Sequence, residues 1–498
     1  MITTSFKIPE HWPSDAKAFA SEAISEIQEL KVVLKQSLID ILDLENSLDN
    51  AHNQILDLKE KLGTNSSNSS LPPSKDPPGT PARKAIPTGR KQGAQKGHPG
   101  FGRKLFPSER IDRTMDVFPQ QCPVSQRVLY PDELRSLSLK RVHQVDLPEE
   151  IRLVVTEIRL HTCLCPCGCG KTLTAVMPAD LGNTAIGLRL KTMMSLLTSR
   201  FRLSKKLLQE LMVDLFGSDA AFSTGCISEA EEEVSDALMA PYEEAREAAR
   251  HAPAVHVDET SWYLKHKLQW LWVAVTQAVS VFYIDPHRSR NAFESFLGAF
   301  EGFIISDRYS AYANLSPEKR QLCWAHLIRD FRKLVDRHGG AEGIGKWALT
   351  EIETIFELWR RHLDGEIDQN ELRQEFIVIR ARFGRLLKLG QETTDKKATG
   401  FCKKLTNLWP ALWNFINRPD ILQPTNNPAE QGVRPVVISR ILSLGSQSDR
   451  GLRFTERMLT VITTLRRQGK RILEFLQEAL SSFRLGGISP SLLVLPSG

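Results

Sequence analysis

The sequence predicts a multidomain chain with an N-terminal coiled coil, a small cysteine-bearing β module, a helical region, and an α/β domain split by a helical insertion. Three observations predict it: apolar residues recurring every seventh position near the N-terminus, four cysteines packed into "CLCPCGCG", and short apolar runs at residues 254–306 that read strand, strand, strand, helix, strand. At 498 residues the chain is too long for one ordinary core. Its 41% apolar and 25% charged residues are those of a globular protein, and Lys plus Arg exceeds Asp plus Glu by only 65 to 59. A net charge of +6 does not by itself argue for a nucleic-acid partner, so the distribution of charge must decide. No apolar stretch approaches the roughly 20 residues of a membrane span and the N-terminus lacks a secretory pattern, so a cytoplasmic protein without a membrane partner is expected.

Residues 1–62 form the first segment. Ile27, Leu34, Ile41, Leu48, Ile55 and Leu62 keep a strict heptad, and Leu30, Leu44 and Leu58 fill most of the intervening positions. Such a stripe stays on one side only if a partner helix faces it, which predicts one helix over 24–62 and a homo-oligomer; Ser37 and Ala51 weaken two layers. The alternative is an amphipathic helix packed on its own protein. Residues 63–110 are rich in Ser, Pro and Gly and too poor in aliphatics to order themselves. Within them Arg83, Lys84, Arg90, Lys91, Lys96, Arg103 and Lys104 face Asp76 alone, a basic arm suited to a phosphate backbone or, more plainly, a solvated linker.

Residues 111–182 are expected to be a zinc-binding module. Residues 140–162 alternate apolar and polar around Pro148-Glu149-Glu150 as a hairpin does, and lead into Cys163, Cys165, Cys167 and Cys169, with Cys122 upstream. Two thiolate knuckles converging on one ion is the usual structural zinc arrangement, but here the spacing is C-x-C-x-C-x-C rather than C-x2-C. Neighbouring thiols at that spacing point in opposite directions along an extended chain. The site would therefore use Cys122 with two or three of the four and His161, and reduced free thiols in a loop are the alternative. Residues 183–250 carry helical periodicity, as a DNA-binding helix-turn-helix would, although the helix bearing Glu229, Glu231, Glu232 and Glu233 repels phosphate and fits a packing role.

Residues 251–338 and 425–482 are read as the two parts of one α/β domain, with the helical insertion at 339–424 and a tail at 483–498. "VHVDETSW" ends an apolar run on Asp258 and Glu259, and "GFIISD" ends another on Asp307. Two strands ending in Asp at one sheet edge can place both carboxylates, oxygens within about 10 Å, around shared divalent metal. That element order matches a ribonuclease-H-like sheet, in which the first and fourth strands are neighbours. A third carboxylate comes from "NNPAEQGVRP": Asn426 and Asn427 before Pro428 make a helix start, Glu430 lies in its first turn, and Arg434 follows one turn later to hold the carboxylate or a phosphate.

Together "HVDETSW", "IISDRYSAY", "CWAHLIRDF" and "NNPAEQGVRP" resemble, in order, the motifs of the IS-sixty-six family of bacterial insertion-sequence transposases. The likeness extends over nearly the whole chain, through the N-terminal heptads, "LGTNSSNSSLPPS", the basic Gly-rich stretch and the cysteines. It implies a DDE transposase whose catalytic residues are Asp258, Asp307 and Glu430, holding two Mg2+ ions. It implies DNA partners, both the element's terminal inverted repeats and target DNA, and accessory proteins encoded by the same element. DNA contacts are expected from Arg90, Lys91, Lys96, Arg103, His326, Arg329, Arg434 and Arg440. The chain departs from the family at Arg308, where Gly commonly follows the second Asp, at Gln431, where Arg commonly follows the Glu, and at Arg440-Ile441-Leu442, in place of Arg-Lys-Asn. Those departures leave a second class open, a catalytically inactive descendant that binds and synapses terminal repeats. A third, a ribonuclease-H-like nuclease without strand transfer, is disfavoured by the arm and heptads, which suit synapsis of two DNA ends.

Overall fold

The computed structural model describes residues 7–62, 64, 105–135, 140–148, 151–167, 169–182 and 185–493. The chain makes two units, one of residues 1–80, 175–208 and 223–498, the other of residues 81–174 and 209–222. No described helix is long and apolar enough to cross a membrane. Most of the basic arm lies outside the described residues.

The larger unit is built on a mixed five-stranded sheet of β3 (Ala254–Leu264), β4 (Lys267–Val275), β5 (Ser280–Asp285), β6 (Phe303–Ser306) and β7 (Arg320–Leu322), in the order β5-β4-β3-β6-β7. The first three form an antiparallel meander; β6 then joins β3 in parallel and β7 joins β6 in parallel. Strand β4 is apolar on both faces, as a central strand must be. Trp272 and Ala274 belong to one core, whereas Leu271, Val273 and Val275 belong to another beneath α12 (Asn427–Ser443). Gly432 permits that close approach, since a Cβ there would lie 3.3 Å from Val273.

The first core is closed by α4 (Thr224–Ala237), α5 (Met239–Arg250), α6 (Arg290–Leu297), α13 (Asp449–Arg467) and α14 (Ile472–Leu485). Helix α13 also covers the exposed edge of β5: Thr464 and Thr460 hydroxyls accept from the N–H groups of Ser280 and Phe282, and Glu456 from that of Ile284. Three of the four glutamates expected to pack are engaged in ion pairs. Glu231 pairs with Lys205, Glu232 with Arg450, and Glu233 with both Lys191 and Arg484, the latter two nearly inaccessible to solvent. The remaining helices of residues 183–250 are α2 (Leu188–Ser199) and α3 (Lys205–Phe216). The expected tail at 483–498 is in part packed structure: α14 runs to Leu485, and Leu492 is buried with its N–H on Glu244.

Along the chain between β7 and α12 come α7 (Trp324–Asp336), α8 (Gly339–Leu363), α9 (Gln369–Gln391), α10 (Lys396–Asn407) and α11 (Trp409–Asn417), which share a core of their own with Ile305 and Leu322 of the sheet. Their basic positions are partly spent inside it: Arg382 pairs with the buried Glu351, and Arg380 lies over the ring of Trp413. The N-terminal helix α1 spans Ser14–Leu62, starting ten residues before the expected start at 24. Its heptad leucines and isoleucines are exposed, from 50% at Ile27 to 83% at Leu62, while Leu56 is buried. Asp57 and Glu60, beside Leu56 and off the heptad stripe, both lie 2.8 Å from the buried Arg337, which Asp395 also holds. Helix α1 thus docks through one face and leaves the heptad stripe free.

In the smaller unit β1 (Thr162–Leu164) and β2 (Thr172–Thr174) form a two-stranded ribbon, every residue of it exposed. The hairpin expected over 140–162 does not form; no strand is present among the described residues of 140–161, and Val154 and Val155 are about 90% exposed. Alternation makes a strand only where a partner and a core receive the apolar face, and among the described residues of this stretch neither is present.

Candidate active site

Register and the two-residue period of a strand bring Asp258 and Asp307 to one face. His256 pairs with Ile305 across β3 and β6, so Asp258 and Asp307 each lie two residues further along neighbouring parallel chains. Val255 and Val257 enter the first core, which turns the even-numbered residues of β3 to the face that α12 covers. Glu259 therefore points away from Asp258. It is buried, accepts from Arg288 at 2.6 and 2.8 Å and from the Tyr312 hydroxyl at 2.6 Å, and is a packing carboxylate. Arg288 is itself clamped over the rings of Tyr309 and Trp270. The alternation of "HVDETSW" contains this division of roles, but the partners of Glu259 lie too far along the chain to be read from it.

Helix α12 carries Glu430 to the same face. Asn426 is expected to cap that helix, and it does not: its side chain makes no capping bond. Instead its Nδ2 donates to Val257 O at 2.7 Å and its Oδ1 accepts from His256 Nδ1 at 3.1 Å, in a site only 1% exposed. Because Val257 precedes Asp258 and Asn426 O accepts from Glu430 N, one amide fixes the third carboxylate's helix against the first carboxylate's strand. The far end of α12 is fixed too. Gly445, at φ +92°, passes so close to Tyr263 that a Cβ would overlap its carbonyl, and Ser446 N donates to Tyr263 O at 2.8 Å.

Asp307 is held by its surroundings in the same way. Its Oδ1 accepts from Tyr309 N at 2.9 Å, and the buried Arg320 donates to its carbonyl at 2.5 Å and to that of Tyr312 at 3.0 Å. Burial, and after it the carboxylates of Glu259, Asp307 and Glu430, push the carboxyl of Asp258 up to about 8. Carboxylates set side by side repel one another unless a cation joins them, so the donor set fits a hard divalent metal. A second observation agrees: Glu430 Oε1 is buried without a hydrogen-bond partner among the described residues.

The residues expected to contact DNA separate into groups. Arg90, Lys91, Lys96 and Arg103 lie outside the described residues. Arg434 is exposed on α12. Arg440 is spent on the fold, donating to Thr260 Oγ1 at 3.0 Å and Ser261 O at 2.5 Å, which ties α12 to β3. On α7, Arg329 is half-buried and His326 faces the carboxylates, its Nδ1 3.5 Å from Glu430 Oε1. Trp324, Leu327 and Phe331 of the same motif are core. Arg308, one of the departures, turns aside to Asp330 at 2.6 Å and over the ring of Phe401; Gln431 is exposed.

Of the five cysteines expected at the zinc site, Cys165, Cys167 and Cys169 converge, with their sulfur atoms within 4.8 Å of one another, and His161 is not in that group. The chain turns after Cys165, whose N–H donates to Lys171 O at 2.8 Å, so the thiols do not alternate as on an extended chain. Cys163, on β1, and Cys122 stand outside that group. Ser125, through its side chain and N–H, lowers the Cys122 thiol to about 7.

Residues 209–454 match the model of the transposase IS66 family, and residues 10–104 that of a family of unknown function, DUF6444. An uncharacterized protein, y4qI, of Sinorhizobium fredii is 28% identical over 245 residues, which are 44% of this chain and 44% of that protein. The chain thus spans less than half the length of that relative.

Proposed function

We propose, on the premise that residues 209–454 are a transposase domain of the IS66 family, that this chain cuts DNA at the ends of an insertion sequence and joins them to target DNA. The observation that carries the reading is the register of β3 on β6, which sets Asp258 beside Asp307, together with the bond from Asn426 to Val257 O that fixes the start of Glu430's helix on the same strand. The strand order, with β3 and β6 adjacent and parallel, supports a ribonuclease-H-like catalytic domain. Asp258, Asp307 and Glu430 would hold two magnesium ions, which supply activation of the attacking hydroxyl and stabilisation of the leaving oxygen in an in-line displacement.

The chain's own contribution is preorganisation. Asn426 sets the distance between Glu430 and Asp258, Arg320 braces the backbone at Asp307, and the buried cores beneath keep these supports from relaxing. The departures at Arg308 and Gln431 leave the cluster intact, since Arg308 is engaged with Asp330 and Gln431 faces solvent, and this favours the active reading over the inactive descendant. Further parts fit the same function: the exposed heptad stripe of α1 pairs with a second copy of this chain, the basic arm follows phosphates, and the cysteine cluster takes a structural zinc. The site of action is the bacterial nucleoid.

A strand-transfer assay tests the proposal, using the full chain and labelled DNA from the ends of the element that encodes it. Cleavage and joining are expected with magnesium and not with calcium. Binding without cleavage in any divalent metal would hand the case to the inactive descendant.

A further inference from the structure

Glu430 also meets a second kind of donor. Cys323 Sγ, a ring nitrogen of His326 and a Glu430 carboxylate oxygen lie within 4.8 Å of one another, where the starts of α7 and α12 meet. Cys323 is 1% exposed and is fixed from both sides, its N–H donating to Ser306 O at 2.9 Å and its sulfur accepting from Asn426 N at 3.1 Å. His326 follows one helical turn later, on the same side of α7.

Two polar atoms in this cluster make no hydrogen bond among the described residues. His326 Nδ1 and Glu430 Oε1 are both buried without a hydrogen-bond partner among the described residues, and their 3.5 Å separation is longer than a hydrogen bond. Leaving such atoms unsatisfied is unfavourable, and two orphans facing one another need a shared partner. The donors around them, thiol sulfur, imidazole nitrogen and one carboxylate oxygen, are those of zinc rather than of magnesium, which takes oxygen. Ligands of one tetrahedral zinc lie roughly 3.3–3.8 Å apart, so a small contraction of the cluster closes it.

We propose that Cys323, His326 and Glu430 form a binding site for zinc or a similar borderline-soft divalent ion, and that filling it draws Glu430 away from the two aspartates. On binding, the Cys323 thiol gives its proton to solvent and its sulfur bonds the ion; imidazole nitrogen and carboxylate oxygen supply the other protein ligands, with water in the open position. No electron is transferred. The binding half stands on the donor geometry alone; the inhibitory half rests on the reading of Glu430 as a ligand of the magnesium site.

Cobalt(II) serves as the probe, added to the full-length protein and to full-length Cys323→Ser and His326→Gln variants. The exposed thiols elsewhere contribute equally to all three, so the difference spectra isolate this site. A thiolate-to-cobalt charge-transfer band is expected in the difference between the wild type and Cys323→Ser, and it should disappear on adding zinc. In His326→Gln the affinity for cobalt at this site should fall by more than about tenfold. Identical cobalt spectra for the wild type and Cys323→Ser would overturn the proposal. If Cys323→Ser does not fold, as judged by circular dichroism, His326→Gln decides, and unchanged cobalt binding there overturns it. Zinc should also suppress magnesium-dependent cleavage in the wild type at least tenfold more strongly than in His326→Gln. Absence of the cobalt site alongside magnesium-dependent cleavage would sink this inference and leave the proposed function standing. A cobalt site in a protein that never cuts DNA would do the reverse.

Discussion

The mixed sheet and the cysteine-bearing segment each gather side chains fit to hold metal, and they do so by opposite means. In the sheet the backbone does the gathering: parallel register aligns Asp258 with Asp307, and Asn426 bonds the helix of Glu430 to the strand of Asp258. Asn426 and the paired His256 and Ile305 are buried, so the fold itself positions the two strand ends and the start of α12. In the cysteine segment the ribbon is two three-residue strands with no buried residue, and the convergence of Cys165, Cys167 and Cys169 rests on a turn. A scaffold that pays for its ligand geometry in folding suits catalysis, where position must be kept through a reaction. One that leaves the geometry to the ion suits a structural site, where binding and folding are the same event.

The contrast is broken most forcefully at the cysteines. Replacing Cys165 and Cys167 together by Ser is expected to remove about one bound zinc per chain and to make residues 105–174 readily cleaved by protease, with the sheet untouched. Zinc analysis and limited proteolysis check this; a zinc-free wild type that resists protease equally well would end the distinction. The converse change is Glu430→Gln, which keeps side-chain size and the helix start. Strand cleavage should fall by about 10²–10³-fold or more while thermal unfolding and DNA affinity hold, because affinity comes from Lys and Arg against phosphate.

Smaller effects sharpen the comparison. Asn426→Ala removes both side-chain bonds that hold the start of α12 on β3, leaving a buried carbonyl and a buried imidazole without those partners. It should destabilise the larger unit by about 2 kcal/mol and slow cleavage at unchanged DNA affinity, as denaturant titration and single-turnover kinetics would reveal. If cleavage is as fast as in the wild type, Asn426 is a fold residue and not a positioning one.

The smallest effect is a pH dependence. Burial raises the carboxyl of Glu456 from 4.5 to about 7 where it accepts from Ile284 N. Between those values the folded chain keeps a proton that the unfolded chain has released, so this contribution to stability is full below 4.5 and is lost as pH rises through 7. Glu456→Gln should flatten that slope, on the order of 2 kcal/mol across the window, while keeping the cap on β5. An unchanged slope in the variant would place the titration elsewhere.

Much of the sheet was legible in the sequence because its signals are local. Apolar runs ending on Asp258 and Asp307 mark two strand ends, and the strand, strand, strand, helix, strand order follows from turns and periodicity alone. What was not legible depends on partners far along the chain. Asn426 looks like a helix cap because caps are chosen from neighbours, whereas its partners, His256 and Val257, lie about 170 positions away. Arg440 reads as a free cation until β3 takes up its guanidinium, and the division between Asp258 and Glu259 needs Arg288 and Tyr312. The alternation of 140–162 misled for the same reason, since a pattern names a face but not the core that must receive it.

The central claim is that Asp258, Asp307 and Glu430 hold metal together. A crystal of the full chain soaked in manganese(II), a magnesium substitute that scatters anomalously, tests it most directly. The account predicts anomalous density about 2.0–2.3 Å from oxygens of all three carboxylates, lost when Asp258 is replaced by Asn. Ordered crystals in which manganese avoids those oxygens, or bonds one carboxylate alone, would contradict it.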